Sequence, residues 1–201
     1  MACAHNHDCE DSNCAADWSL YKNVDLPKVR ALNEQTEGSV KTVLKPWDQR
    51  LDFGTILESN PEDPELLVVI PFISDIKLKG ICIIGGADGT SPTRMRAFTN
   101  REDIDFSNVN DLTPVQEWEL AENVNGELEY QTRFARFQGV STLILHFPAS
   151  ISGDQTRVHF IGLKGEATQL QRDKVVNVVY EVTPQPQDHK MPTENQAPSI
   201  L

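Results

Sequence analysis

Runs of alternating apolar and polar residues, separated by turn signals, recur through the middle of this chain and predict an antiparallel β protein. Residues 65–72 form a compact apolar strand whose Pro71 belongs at an edge or a bulge, because proline cannot donate to a ladder. Residues 75–85 follow, with Ile76, Leu78, Cys82 and Ile84 assigned to one face by the period of two. Residues 94–99 alternate Met95, Ala97 and Thr99 with Arg94, Arg96 and Phe98. A strand over 128–134 comes after Asn125-Gly126, a pair suited to the positive φ angles of a tight hairpin. Residues 141–147 set Leu143, Leu145 and Phe147 against Thr142, Ile144 and His146, and strands over 157–165 and 175–181 complete the set. Helix signals are sparse: residues 26–32 suit one short helix with Asp25 as N-cap and Pro27 in its first turn. No repeat with a period of about 20–50 residues is present. The expected fold is all-β, a two-sheet sandwich with at most one or two short helices.

The two ends lack this patterning. Residues 1–17 are rich in Asp, Asn, Cys and His and are expected to be disordered; residues 184–201 read as a proline-rich flexible tail, leaving 18–183 as the folded domain. At 201 residues the chain suits one domain. It can bury about 70% of its unfolded surface without a disulfide or a metal.

Charge narrows the partners. Lys and Arg total 18 against 30 Asp and Glu, for a net charge of −12, the reverse of what phosphate neutralisation needs. Nucleic acid and anionic membrane surfaces are therefore not expected as partners. The longest apolar run, residues 66–72, is far short of the roughly 20 residues of a membrane helix. The N-terminus has neither a basic nor an apolar signal region, and no Asn-x-Ser/Thr sequon occurs. Cys3, Cys9 and Cys14 crowd the first fifteen residues, with only Cys82 in the body, unlike a secreted disulfide framework. These features predict a soluble protein of the cell interior.

Several segments together resemble the signature of the PITH domain, named for the C-terminal proteasome-interacting domain of a thioredoxin-like protein. They are Leu57-Glu58-Ser59-Asn60-Pro61-Glu62-Asp63-Pro64-Glu65-Leu66-Leu67 with Ile70-Pro71-Phe72, then Ile76-Lys77-Leu78-Lys79-Gly80-Ile81. Phe106-Ser107-Asn108-Val109-Asn110-Asp111, Phe137-Gln138-Gly139-Val140 and Phe160-Ile161-Gly162-Leu163-Lys164-Gly165-Glu166 continue it. Leu44-Lys45-Pro46-Trp47-Asp48-Gln49-Arg50 and the closing Tyr180-Glu181 with Asp188-His189-Lys190 are similar to stand-alone PITH domain-containing proteins, which carry no thioredoxin domain. The resemblance runs from about residue 18 to residue 181. It implies a jelly-roll β-sandwich resembling galactose-binding domains, and a non-catalytic, cofactor-free interaction module. The expected partner is the regulatory particle of the 26S proteasome or another large complex, the expected state a monomer, and the expected location the cytoplasm and nucleus. The fold analogy alone suggests an alternative, a small-ligand or carbohydrate-binding sandwich.

Candidate chemistry is thin beside this. Cys3, His5, His7, Cys9 and Cys14 are soft donors suited to Zn²⁺ or Cu⁺, but they are not arranged as knuckle pairs such as Cys-x-x-Cys, so no metal is expected. His146 and His159 have no nucleophile motif beside them and read as sandwich histidines; Cys82 reads as a small core residue. Gly85-Gly86-Ala87-Asp88-Gly89-Thr90-Ser91 lacks the Gly-Lys-Ser/Thr ending of a phosphate loop and reads as a flexible connection, with Asp88 a candidate contact. Residues 101–130 hold nine acids against one base, two-thirds of the net charge of −12, as a solvated face or a docking surface for a basic partner. Trp47, with Asp48 and Arg50, is the sharpest interface candidate, because Trp and Arg dominate binding hot spots; the competing reading is a loop tryptophan that caps the core. Trp118, beside Glu119, carries the same pair of readings.

Overall fold

A computed structural model describes residues 18–171. Its strands are β1 (Arg30–Leu32), β2 (Leu57–Glu58), β3 (Leu66–Gly85), β4 (Arg94–Thr99), β5 (Gln116–Glu119), β6 (Tyr130–Gln131), β7 (Val140–Phe147) and β8 (Arg157–Gln171). One four-residue helix, α1 (Val40–Val43), and short 3-10 turns complete the secondary structure. The predicted strand over 175–181, both terminal segments and the Cys/His cluster of Cys3, His5, His7, Cys9 and Cys14 lie outside the described residues.

The two apolar runs predicted as separate strands are one. β3 spans 20 residues and belongs to both layers of the sandwich. Its first part, to Pro71, pairs with β7 on one side and β1 on the other. There the β7 register breaks, and from Ser74 onward β3 pairs with β8 and, at Gly80 and Ile81, with β6. The first layer is thus β1-β3-β7-β4-β5 and the second β2-β8-β3-β6, all antiparallel. Their facing side chains, among them Val68, Ile70, Leu143, Leu145 and Phe147 against Ile81, Ile83, Val158, Ile161 and Leu163, share one buried core. This is an all-β jelly-roll-like sandwich, as the alternation pattern and the resemblance imply.

Two local expectations are corrected by backbone irregularities. Ile76, Leu78, Cys82 and Ile84 do not share a face. Between Leu78 and Gly80 two residues of β3 oppose one step of β8, a bulge that inverts the alternation. Ile81 and Ile83 therefore join the central core, while Cys82 and Ile84 turn outward with Phe160. The short helix expected over 26–32 is a 3-10 turn, Leu26–Lys28, that stops because Val29 is extended (ψ 134°) and leads into β1. Asp25 caps nothing there; its carboxylate pairs with Lys28 at 2.8 Å. The predicted strand over 128–134 contracts to Tyr130–Gln131, and Gly126 alone of the Asn125-Gly126 pair takes a positive φ, 67°.

Both sheets are covered on the outside as well. Over the first, Ile104 and Val109 from the β4–β5 connection pack on Leu67, Phe98 and Ile144. Arg96 ties that connection down, its guanidinium donating to Val109 O (3.1 Å) and Leu112 O (2.9 Å). Over the second, Trp47 packs on Cys82, Ile84 and Phe160.

Candidate functional site

The Leu44–Arg50 motif builds a turn over the outer face of the second sheet. Leu44 is buried in the central core, and the nearly buried Lys45 donates from Nζ to Asp52 O and, at 3.4 Å, to Thr55 Oγ1. Those bonds close the 45–55 loop on itself. Pro46 then opens the 3-10 turn Trp47–Gln49, which lays the half-buried indole of Trp47 edge-on against Phe160, with ring centres 5.8 Å apart. Gly162 leaves room for it: a Cβ there would stand 3.2 Å from the Trp47 ring and 2.5 Å from that of Phe160.

Cations bracket the indole. Arg50 Cζ lies 4.9 Å from the ring centre and Lys164 Nζ 4.3 Å, both within cation–π range. Lys164 also pairs with Glu129 at 2.6 Å. Beneath, the Cys82 thiol is pushed up to about 11, by burial first and by the nearby Glu129 carboxylate second, so it stays protonated and unreactive at neutral pH. The buried Asn123 orders the neighbouring loop, donating to Ile83 O (2.9 Å) and Leu128 O (3.2 Å) while accepting from the amides of Glu127 and Leu128. Gly126 of that loop meets the Arg50 side chain, where a Cβ would lie 3.4 Å from Arg50 Cδ. Leu51 and Phe53 of the 45–55 loop, and Val124 and Leu128 on either side of Gly126, are exposed. Phe53 stacks edge-on on His159 at 5.1 Å.

The other candidates lie elsewhere. Trp118 sits on edge strand β5 with its ring half-buried against Phe137 (6.2 Å) and its Nε1 donating to Gln131 O (3.1 Å), an arrangement that joins the edges of the two sheets; Glu119 beside it is exposed. Asp88 is exposed at the tip of the β3–β4 connection with φ 62°. That connection is strapped down by Ser152 N to Gly89 O (2.8 Å) and Arg157 N to Thr90 O (2.8 Å), in place of the loose loop expected. The acidic stretch is divided rather than one face. It covers the first sheet, forms β5 and then crosses toward the second sheet, and Asp103, Glu117 and Glu129 each pair with a base. Among the described residues no group of His, Cys, Asp and Glu is placed to hold a metal, and no helix is long and apolar enough to cross a membrane.

The structure thus brings Arg50 onto Trp47, leaves Asp48 exposed on the same turn, and adds Lys164 and Glu129, which sequence reasoning missed. A signal for Lys164 was present: on β8 the outward positions Phe160, Gly162 and Lys164 follow the period of two.

Comparison with known proteins places the chain. Residues 10–184 match the PITH domain model. "PITH domain-containing protein 1" of Dictyostelium discoideum is 39% identical over 93% of this chain and 90% of its own length, and the Homo sapiens protein of that name is 37% identical over 95% of each. Among solved structures, the CBM32-1 and CBM32-2 domains of Clostridium perfringens ZmpB in complex with GalNAc superpose with a TM-score of 0.54 at 14% identity, over 73% of this chain and 35% of that one. CBM32-3 from a family 31 glycoside hydrolase of the same organism gives 0.52 at 14% identity, over 78% of this chain and all of its own. At that identity the likeness is one of fold, the galactose-binding-like sandwich. The sequence matches go further: this chain belongs to the PITH domain family.

Proposed function

We propose that this chain is a non-catalytic, monomeric adaptor of the cytoplasm and nucleus that binds the regulatory particle of the 26S proteasome, or another large intracellular complex, through the outer face of its second sheet. The observation that carries this reading is the Arg50–Trp47 stack, held on the closed 45–55 loop whose Leu51 and Phe53 are exposed. A positioned Arg and Trp are residue types enriched in interface hot spots, and the closed 45–55 loop already meets the ordering cost of presenting them. Family membership supports a protein partner. Co-sedimentation of the chain with purified 26S proteasome at physiological salt tests it. Arg50→Glu and Leu51→Ser, which leave Trp47 and the core intact, are expected to weaken binding at least tenfold. Unchanged binding removes this surface, and failure of the unaltered chain to sediment with the intact particle removes the proteasome as partner.

One observation favours the carbohydrate alternative. Trp18, 37% exposed, borders a cleft of about 230 Å³ with Lys79, Glu129, Gln131 and Lys164, an aromatic platform beside polar groups. Lys79 Nζ occupies the face of that ring at 4.0 Å, so a sugar has to displace it. A glycan screen without hits disposes of this reading.

A further inference from the structure

Among the described residues, the outer face of the first sheet is only half covered. The β4–β5 connection shields Leu67, Phe98 and Ile144, but it leaves the neighbouring outward positions Val69 and Pro71 of β3 and Thr142 of β7 as the half-buried floor of a groove of about 480 Å³. Register places them side by side, since Pro71 pairs with Thr142 and Val69 with Arg30. The groove is walled by Lys28 from the turn before β1, Arg30 from β1, and Arg101 and Glu102 from the start of the β4–β5 connection. Three cations from three separate elements meet there, in a chain with only 18 Lys and Arg against 30 acids. Lys28 and Arg101 are held by Asp25 and Asp103, which fixes their side chains beside the groove. Arg30 is exposed and has no ion pair among the described residues.

We infer that this groove receives an extended acidic segment of a protein partner, its backbone lying over Val69, Pro71 and Thr142 and a carboxylate meeting the Arg30 guanidinium. The occupant follows from the walls. An apolar segment would leave Arg30 uncompensated, a basic one would meet its like charge, and a carboxylate takes the bidentate geometry that arginine offers. The chain's own charge does not forbid this. At about 0.15 M salt the Debye length is about 8 Å, so the repulsion of distant surface acids is screened while a pair in contact survives. The inference rests on reading the chain as a protein-interaction module and adds a contact on the face opposite Arg50.

Fluorescence anisotropy of the full chain with a fluorescein-labelled Glu-Thr repeat decapeptide at physiological salt tests it, together with amide shift mapping of the complex. Binding is expected with shifts centred on Arg30, Val69 and Thr142. Arg30→Glu should raise Kd at least tenfold, whereas Arg133→Glu, the same charge change on an exposed arginine outside the groove, should leave it within twofold. Absence of binding, shifts centred elsewhere, or equal losses in both variants overturns the inference. So does concentration-dependent self-association abolished by Arg30→Glu, which assigns the groove to a second copy of the chain. Should the peptide fail while the chain still sediments with the proteasome through Arg50, the groove alone falls and the adaptor reading stands.

Discussion

His146 shows how a single polar residue is committed by its surroundings. It points outward from β7, yet it is fully buried, opposite Leu67 on one neighbour and Arg96 on the other. Its Nε2 lies 2.7 Å from Glu65 Oε1, and because a carboxylate only accepts, that nitrogen carries the proton. Burial is the main influence on the ring and disfavours its cation; Glu65 opposes this and Arg96 reinforces it, leaving the imidazole below its ordinary 6.5. His159 is shifted the same way, again chiefly by burial. A histidine depressed in the folded state binds its proton more readily when unfolded, so the associated stability is present above about 6.5 and is lost as pH falls below it. Urea unfolding should therefore show a lower midpoint at pH 5.5 than at pH 7.5, above the range where carboxylates titrate. His146→Gln should flatten that difference even if it lowers both midpoints. An undiminished difference would assign the pH dependence to other groups.

At the scale of elements, legibility in the sequence followed periodicity and failed where the backbone broke it. β4 and β7 are where their alternation places them, and Thr142, Ile144 and His146 do oppose Leu143, Leu145 and Phe147. β3 was misread because a period of two cannot be carried across a bulge, and because an apolar run flanking Pro71 looks the same whether a strand ends there or changes partners. β1, β2 and β5 span two to four residues, too few for any period to show. The Trp47–Arg50 motif was legible as one unit, but Lys164 and Glu129 arrive from distant segments that only the tertiary fold brings together. The bulge at Lys79 carries its own prediction. It presses Gly165 of β8 against β3, where a Cβ would come within 2.1 Å of Lys77 O and 3.1 Å of Leu20 Cδ1. Backbone cannot yield as a side chain can, so Gly165→Ala should destabilise the fold by about 1–3 kcal/mol in urea titrations. A neutral outcome would mean that the two strands are less tightly apposed than described.

For the molecule as a whole, the decisive feature is that one strand serves both layers. In a sandwich whose sheets were joined only by loops, either sheet could in principle lose order while the other persisted. Here β3 supplies Val68 and Ile70 from the first layer and Ile76, Leu78, Ile81 and Ile83 from the second to the same buried core, so losing its ladder with β7 uncovers residues that β8 also needs. The closure through Trp118 and Gln131 couples the far edges in the same way. Unfolding should then be one cooperative transition. The three tryptophans allow a direct check, because Trp47 reports on the outer face of the second sheet and Trp118 on the edge of the first. A variant keeping only Trp47 (Trp18→Phe with Trp118→Phe) and one keeping only Trp118 (Trp18→Phe with Trp47→Phe) should each give a urea transition in fluorescence that coincides with its own far-ultraviolet circular dichroism. Separate midpoints in either variant would show that the layers unfold independently. The continuity of β3 would then be a matter of connection rather than of energetic coupling, and the two layers would respond separately to denaturant.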